Sequence, residues 1–268
     1  LTFFVLIYMH ISFLKEKNPC FFEKVMHNNY CYSHEDCDQA LLKRSRFIRD
    51  YLKGFNKASN IPNKFYISNL IKSSMSIYGQ MQEEKLMGFI RACMDSPSGD
   101  LVEIGSAWGR SSFALLNLSV YYDIGTLICI DSWNEKISVE QKSELTSSQL
   151  MQMNWDNMFD SFIVNMSNTI SNNCNYIREI SNKAIDKYED SVIFTNEFGR
   201  SKVTNKIAIL HIDANHNIEA VFNDIKIWSK YLVNNAWVIF DDYEWVYGDG
   251  PKNCCRSYRE IIKPIYWG

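Results

Sequence analysis

Short apolar runs alternate with amphipathic segments through the last two-thirds of this 268-residue chain. Segments with helical periodicity lie at 83–94, 111–118, 155–170 and 218–231, and the apolar runs lie at 101–104, 127–130, 176–180, 207–212 and 236–240. Strands that are apolar throughout are buried on both faces, which is typical of a parallel sheet covered by helices on both sides. The pattern therefore predicts an α/β fold with a doubly wound, mostly parallel sheet.

The chain from residue 18 to residue 79 has a different character, because it is polar, aromatic and rich in asparagine. Apolar residues recur with helical spacing between Asp38 and Lys53, and Pro62 interrupts the stretch that follows. We therefore predict two units, which are an N-terminal helical extension or cap at 1–79 and a sheet domain at 80–268.

The two ends of the chain carry further expectations. The N-terminal apolar stretch ends at Leu14, which is short for a membrane span of about 20 residues, and no cleavage site for a signal peptide follows. We therefore expect no membrane association. At the other end, at most one short strand fits after the helix-like segment 256–262, so we expect a sheet domain that is truncated at its C-terminus.

Composition and charge exclude several classes of function. A net charge of −3 and a pI near 6.0 provide no basic surface for DNA or RNA, so we expect no nucleic-acid partner. The eight cysteines are irregularly spaced, unlike those of a secreted disulfide-rich domain, so we expect reduced thiols and a cytoplasmic location. Cys20, Cys31, His34 and Cys37 could bind zinc, but no second pair of ligands follows, and ordinary thiols are favoured.

A glycine-containing turn follows the first apolar run. Gly105 and Gly109 allow the backbone to bend sharply and to approach a ligand closely, and the helix that starts near Ser111 presents free N–H groups to the same crevice. Three residues separate the two glycines and no G-x-G is present, so the turn is not a dinucleotide-binding fingerprint. A ligand-binding turn and a plain strand-to-helix turn are both consistent with this segment.

Acidic residues follow three of the other runs. Asp131 stands where a carboxylate can accept hydrogen bonds from ribose hydroxyls. Asp213 and the pair Asp241 and Asp242 follow two runs that we expect to be neighbours, and neighbouring parallel strands lie about 4.8 Å apart. Because crowded carboxylates repel one another, we predict that these three residues bind a hard divalent cation, Mg²⁺ first and Ca²⁺ or Mn²⁺ next. The alternative is that one aspartate caps a helix while another faces solvent.

Four segments in this order make the chain similar to a class I S-adenosylmethionine-dependent methyltransferase of the family-24 type: EIGSAWGRSS, IDSW, LHIDANHNIEAVFNDIKIW and WVIFDDYEWVYGDGP. The resemblance covers Gly79 to Pro251 and implies a Rossmann-like fold that binds S-adenosyl-L-methionine. The resemblance also implies which residues hold each part of the cofactor. The methionine part is expected to contact Glu103, Gly105, Ser106 and Gly109. The ribose is expected to contact Asp131, and the adenine is expected to lie near Ser132, Trp133 and Ser181. Related metal-dependent sugar and catechol O-methyltransferases carry acidic ligands at positions that match Asp213, Asp241 and Asp242.

The function expected from this resemblance is metal-assisted O-methylation of a sugar or another small hydroxylated metabolite. In this hypothesis a magnesium ion lowers the pKa of the substrate hydroxyl, and His216 or Asp213 removes its proton. His211 lies within a strand, and we expect it to be structural. Three alternatives stay open: metal-free methyl transfer with Asp213 or His216 as the base, a cofactor-binding module without catalysis, and a nicotinamide oxidoreductase, which the missing G-x-G-x-x-G motif disfavours.

Overall fold

Seven parallel strands form the central sheet of the computed structural model, which describes residues 3–8, 34–55, 60–134, 153–167, 173–241, 253 and 262–267. The strands in these residues are β1 (Phe3–Tyr8), β2 (Asp100–Ile104), β3 (Leu127–Asp131), β4 (Cys174–Arg178), β5 (Val192–Thr195), β6 (Gly199–Lys202), β7 (Ile207–Ile212), β8 (Leu232–Phe240) and β9 (Ile262–Trp267). The order across the sheet is β4-β3-β2-β7-β8-β1-β9, while β5 and β6 form a separate antiparallel hairpin.

Helices cover both faces of the sheet. In the described ranges they are α1 (His34–Leu52), α2 (Lys64–Ser76), α3 (Glu83–Met94), α4 (Arg110–Tyr122), α5 (Trp155–Ser167), α6 (Ser181–Glu189) and α7 (Ile218–Trp228). The first five pack on the face that carries Leu101 and Ile209, while α6 and α7 pack on the face that carries Val102 and Leu210. Successive residues of one strand are thus buried in opposite layers, which confirms the predicted doubly wound sheet and explains why its strands are apolar throughout.

The strand register brings the ends of four strands to one edge of the sheet. Ile104 at the end of β2 pairs with Ile130 of β3 and with Ile212 of β7, and Ile212 in turn pairs with Phe240 of β8. The residues that come next along the chain therefore stand side by side at this edge: Gly105, Asp131, Asp213 and Asp241.

The predicted helical extension is present and shares the core of the sheet domain. Ile48 and Leu52 of α1 belong to the same buried cluster as the sheet residues on that face. Arg44 of α1 forms an ion pair of 2.7 Å with Glu83 at the start of α3. In addition, the Tyr66 hydroxyl of α2 donates a hydrogen bond of 2.8 Å to the Asn117 carbonyl of α4. The predicted boundary at residue 79 stays a prediction.

Residues 3–8 depart from the expected helical extension, because they form strand β1 between β8 and β9. The segment FFVLIY consists of aromatic, β-branched and leucine residues, and such a composition favours a strand that pairs within a sheet. The helix-like segment 256–262 lies outside the described residues except for Ile262, which begins β9.

Three further elements were not predicted from the sequence: α2, α6 and the β5–β6 hairpin. A start signal for α2 was present, because the Asn63 side chain accepts hydrogen bonds from the backbone N–H groups of Phe65 and Tyr66 directly after Pro62. The suggested zinc ligands, which are Cys20, Cys31, His34 and Cys37, lie outside the described side chains. Within the part of the chain that the structure describes, no helix has both the length and the apolar character needed to cross a membrane.

Candidate active site at the carboxyl ends of the strands

The turn after β2 is built around two glycines with positive φ. Gly105 has a φ of +93°, and Gly109, which precedes α4, has a φ of +89°. A Cβ atom on Gly105 would stand 2.1 Å from the carbonyl oxygen of Asp213, so only glycine permits this approach of the turn to the chain after β7. The two predicted glycines thus shape the turn at the edge where the strands end.

Glu103, at the end of β2, is completely buried beside this turn. Its carboxylate accepts hydrogen bonds from Ser106 Oγ at 2.9 Å and from Ser112 Oγ, and it lies 3.0 Å from His211 Nδ1. Burial alone would raise the pKa of this carboxyl, but the interactions with His211 and Ser112 outweigh burial and lower the pKa. Glu103 and Ser106 therefore support the turn from within the core, and their contact with a cofactor stays a prediction.

Asp131 links the end of β3 to the same turn. Its Oδ2 accepts a hydrogen bond of 2.9 Å from the backbone N–H of Ala107, and its Oδ1 accepts one of 2.8 Å from the backbone N–H of Trp133. Burial raises the pKa of Asp131, and these two hydrogen bonds oppose the rise. Because each carboxylate oxygen has a second lone pair, the half-buried Asp131 can still accept hydrogen bonds from the hydroxyls of a ribose.

Trp133 stabilises the turn after β2 from the buried core. Its side chain is 1% exposed, its indole N–H donates a hydrogen bond of 2.7 Å to the Ala107 carbonyl, and its ring packs against Phe162 and Tyr176. Ser132 beside it is half-buried. The adenine contacts expected of Ser132 and Trp133 stay predictions, while the support that Trp133 gives to the turn is a role that the sequence did not reveal.

Ser181 joins two helices on the opposite face of the sheet. Its hydroxyl accepts a hydrogen bond of 2.8 Å from the Trp228 indole N–H and is also hydrogen-bonded to the Asp224 carboxyl. Burial raises the pKa of Asp224 to about 6, and the Ser181 hydrogen bond opposes that rise. Ser181 thus connects α6 with α7, and its predicted place at the adenine edge stays a prediction.

A buried lysine joins the two aspartates that follow β7 and β8. Lys85 lies on α3 and is 3% exposed, and its Nζ donates hydrogen bonds to Asp213 Oδ2 at 2.8 Å and to Asp241 Oδ2. Burial alone would lower the pKa of Lys85, but the two carboxylates outweigh burial and raise it. The side chain is therefore a charged ammonium at neutral pH, and it holds both carboxylates.

The two carboxyls differ in their affinity for a proton. Burial, and then the neighbouring charge of Asp241, raises the pKa of Asp213. For Asp241, burial is outweighed by the charge of Lys85, so its pKa lies below the usual range. Asp213 is thus the more basic of the two carboxylates.

His211 of β7 completes this group. Its Nδ1 faces Glu103, an acceptor with a lowered pKa, so Nδ1 carries the proton and Nε2 has a lone pair. Nε2 is buried 3.8 Å from Asp213 Oδ2 and has no hydrogen-bond partner among the described residues. Burial, and then the charge of Lys85, lowers the pKa of His211, so the ring is neutral at pH 7. Phe89, one turn after Lys85, packs on this ring with 5.2 Å between centroids.

The side chains at the ends of β7 and β8 offer atoms that a divalent cation can bind, but Lys85 already interacts with the two carboxylates. One ligand atom each from His211, Asp213 and Asp241 lies within 4.8 Å of the others, and such nitrogen and oxygen atoms are common metal ligands. However, Oδ2 of each aspartate already accepts a hydrogen bond from Lys85, so a cation between them would meet the ammonium. The remaining expected ligand, Asp242, lies outside the described residues. Metal binding stays a prediction, and this arrangement favours the metal-free alternative.

Two members of the group were not predicted from the sequence: Lys85 had no expected role, and His211 was expected to be structural. Lys85, Phe89 and Cys93 follow one another at four-residue spacing on α3, where all three are buried. A lysine on the apolar face of a helix needs a buried acidic partner, and that signal was readable. The structure places His216, the other expected base, half-buried in the segment between β7 and α7.

A parallel sheet with this strand order, a glycine turn after β2 and an acidic residue after the neighbouring strand β3 are typical of α/β proteins that bind nucleotide-like cofactors. The chain belongs to a methyltransferase family: the model of a methyltransferase domain, type 24, matches residues 102–243, just over half of the chain. No curated protein matches its sequence significantly.

Solved structures with a similar fold include two O-methyltransferases. NovP, an O-methyltransferase, is 14% identical, with a TM-score of 0.49 over 73% of this chain and 90% of NovP. CalS11, a TDP-rhamnose 3′-O-methyltransferase of calicheamicin biosynthesis, is 13% identical in its apo structure, with a TM-score of 0.43 over 85% of this chain and 87% of CalS11. A further CalS11 structure is 12% identical, with a TM-score of 0.48 over 85% of this chain and 86% of CalS11.

Proposed function

We propose that this chain transfers a methyl group from S-adenosyl-L-methionine to a hydroxyl of a small molecule. The observation that carries the proposal is the row of groups at one edge of the sheet, where the Gly105 turn and Asp131 stand beside the half-buried acids Asp213 and Asp241. The turn and Asp131 suit a cofactor with a ribose, and the acids suit the removal of a proton. The family membership of the chain supports the reaction class.

The residues around the turn fit the cofactor in shape and in donor type. Gly105 and Gly109, at positive φ, set the shape of the turn, and Asp131 retains lone pairs for ribose hydroxyls. When bound, S-adenosyl-L-methionine supplies an electrophilic methyl group on a sulfonium. The task of this chain is then to hold the acceptor oxygen in line with that group, since positioning is the main source of rate in such a transfer.

Asp213 is the base that we propose. Burial and the neighbouring Asp241 raise the pKa of its carboxyl, which strengthens it as a proton acceptor near neutral pH. Its side chain is 23% exposed, so an acceptor hydroxyl can reach it, whereas Glu103 and His211 are closed to solvent. His216 is the alternative base, and separate substitutions of Asp213 and His216 distinguish the two.

A sugar or another small hydroxylated metabolite is the acceptor class that we propose. Trp108 of the turn and the exposed Tyr78 before α3 pack edge to face, with 4.6 Å between ring centroids. Aromatic rings beside a polar site offer an apolar surface with polar edges, which suits the faces of a hydroxyl-rich ligand.

A reducing cytoplasmic environment is part of the proposal. Cys93, Cys129 and Cys174 are free and buried. Burial raises the pKa of Cys93 and Cys129, so both thiols are protonated at neutral pH and react slowly with oxidants.

Calorimetric titration with S-adenosylhomocysteine tests the cofactor part of the proposal. We expect micromolar binding by the unsubstituted protein, and an affinity lower by about tenfold or more for Asp131→Ala, because a charge-assisted hydrogen bond contributes about 1.5–3 kcal/mol. Asp160→Ala is the matched control, since Asp160 is an exposed residue of α5. A folded protein that shows no binding would overturn the proposal.

The acceptor part needs a turnover assay. Purified protein is incubated with S-adenosyl-L-methionine labelled in its methyl group and with a panel of nucleotide sugars, phenols and hydroxy acids. We expect transfer to at least one hydroxylated acceptor and its loss in Asp213→Asn. Cofactor binding without transfer to any member of a broad panel would point instead to the binding module without catalysis.

A further inference from the structure

The carboxyl ends of β7 and β8 need a cation, and the chain supplies one of its own. Asp213 and Asp241 follow neighbouring strands, and two carboxylates this close repel each other unless a positive charge lies between them. The Nζ atom of Lys85 donates to Oδ2 of both residues. The charge of the pair is thereby reduced without an ion from solution.

The ammonium is held in this position by the packing of α3. Every residue of this helix from Lys85 to Met94 is buried, so the helix has no exposed face toward which the lysine could turn. Phe89 lies under the lysine with Nζ 5.6 Å from its ring centroid, and the same ring packs against His211. The ion pair between Arg44 and Glu83 ties the first turn of α3 to α1. Lys85 is therefore a fixed part of the site, unlike a mobile surface lysine.

The same oxygen atoms cannot serve the ammonium and a divalent ion at once. A magnesium or calcium ion needs carboxylate oxygens at about 2.0–2.6 Å. The Asp213 oxygen that faces the group already has Nζ at 2.8 Å, and the facing Asp241 oxygen accepts from the same nitrogen. A dication and an ammonium a few ångströms apart in a buried site repel strongly. One position thus admits either Lys85 or a metal ion.

We propose that Lys85 is the resident cation of this site, where it excludes a divalent ion and holds Asp213 and Asp241 in place for methyl transfer. The exclusion of metal concerns the free protein and needs neither cofactor nor acceptor. The second half, the positioning of Asp213 as a base, rests on the function proposed above. Lys85 is thus a positioning residue that acts through Asp213.

The orphaned nitrogen of His211 gives the proposal a sharp test. With Lys85 removed, His211 Nε2 and one oxygen each of Asp213 and Asp241 form a vacant three-ligand set for a transition metal. The probe is Mn²⁺, whose binding is followed by electron paramagnetic resonance in protein without cofactor. The variants are Lys85→Met, which keeps the apolar part of the side chain without its charge, Lys85→Met combined with His211→Ala, and Lys85→Arg, which keeps the charge.

We expect the unsubstituted protein and Lys85→Arg to bind Mn²⁺ weakly, and Lys85→Met to bind it tighter by about tenfold or more. The added His211→Ala substitution should abolish that gain. Lys72→Met is the matched control, because Lys72 forms an exposed ion pair with Asp38 on the surface, and it should bind Mn²⁺ like the unsubstituted protein. Thermal unfolding establishes that each variant is folded, and Lys85→Gln takes the place of Lys85→Met if the latter does not fold.

Two results would overturn the proposal. One is tight, His211-dependent binding of Mn²⁺ by the unsubstituted protein, and the other is no gain of binding when Lys85 is replaced by a neutral residue. A separate titration of the unsubstituted protein with S-adenosylhomocysteine in the presence of EDTA tests the proposed function alone. If the cofactor binds and the unsubstituted protein also binds Mn²⁺ tightly, the proposed methyltransferase function stands and the proposed role of Lys85 is rejected. If the cofactor does not bind and Mn²⁺ binds tightly only after Lys85 is replaced, the exclusion of metal by Lys85 stands and the proposed function is rejected.

Discussion

Glu103 Oε1 and His211 Nδ1 lie 3.0 Å apart, and neither side chain is exposed to solvent. The two residues stand opposite each other on the neighbouring strands β2 and β7. Because the carboxylate accepts the proton of Nδ1, the other ring nitrogen is left with a lone pair on the side of Asp213. Glu103 thus orients His211, and this buried hydrogen bond couples the end of β2 to β7.

Replacement of Glu103 tests this coupling. Glu103→Ala leaves His211 and the two serine hydroxyls without their acceptor in the core, so we expect the free energy of unfolding to fall by about 3–5 kcal/mol. Glu103→Gln keeps an acceptor oxygen, and its loss should be clearly smaller. Urea unfolding gives both values. Glu219→Ala, at an exposed position of α7, should change stability by less than about 0.5 kcal/mol, and an equally small effect of Glu103→Ala would contradict the coupling.

Gly105→Ala tests the close approach of the turn to the chain after β7. The new Cβ would meet the Asp213 carbonyl at 2.1 Å, and the residue would be held at a φ of +93°. We expect a loss of about 3 kcal/mol or more in the free energy of unfolding, together with loss of S-adenosylhomocysteine binding.

Gly199→Ala is the matched control for this substitution, since Gly199 also has a positive φ of +70° but has open space around its would-be Cβ. Backbone strain alone should then cost about 1 kcal/mol, with cofactor binding unchanged. Equal losses of unfolding free energy in the two variants would show that the close approach to Asp213 does not contribute to the effect of Gly105→Ala.

The edge of the sheet was predictable from the sequence, whereas the partners of the lysine at this edge were not. Apolar runs fix parallel strands, and their register then places Asp131, Asp213 and Asp241 side by side without further information. Lys85 meets Asp213 across 128 positions of the chain. That contact depends on how α3 packs against the sheet, and residue spacing does not encode such packing.

The turn after β2 also combines residues that the sequence pattern predicts with contacts that depend on packing. The glycines of the turn were readable from the sequence, because a sharp strand-to-helix turn requires them. The burial of Trp133 and the link from Ser181 to Trp228 were not readable, since both depend on helices that pack from elsewhere in the chain. Strand β1 was missed for a related reason, because the partner of an isolated apolar segment is set by the whole sheet.

Asp213→Asn tests the assignment of the base. The amide cannot take a proton from the acceptor hydroxyl, so we expect kcat to fall by about 10²–10⁴-fold. The affinity for S-adenosylhomocysteine should change little, because the cofactor is proposed to contact the turn and Asp131. Turnover and calorimetry on one preparation separate the two effects. His216→Ala is the comparison: a large fall in kcat there, with Asp213→Asn near the unsubstituted rate, would move the role of base to His216.

Asp224 provides a pH-dependent contribution to stability that lies away from the acid pair. Burial raises the pKa of its carboxyl to about 6 in the folded protein, from 3.8 when it is exposed. The folded state therefore holds this proton more tightly, and the resulting stabilisation is complete below pH 3.8 and is lost as the pH rises through about 6. At neutral pH the folded protein carries a buried carboxylate whose hydrogen bond from Ser181 offsets only part of the cost.

Asp224→Asn removes this titration while keeping a polar side chain within reach of Ser181. Near pH 4 we expect the variant and the unsubstituted protein to have nearly equal free energies of unfolding. At pH 7 the variant should be more stable by about 2–3 kcal/mol, because each unit of pKa shift corresponds to about 1.4 kcal/mol. Urea unfolding across this pH range gives the difference. The exposed Asp160→Asn should follow the unsubstituted protein throughout, and a constant offset for Asp224→Asn from pH 4 to 7 would show that Asp224 does not titrate as its burial requires.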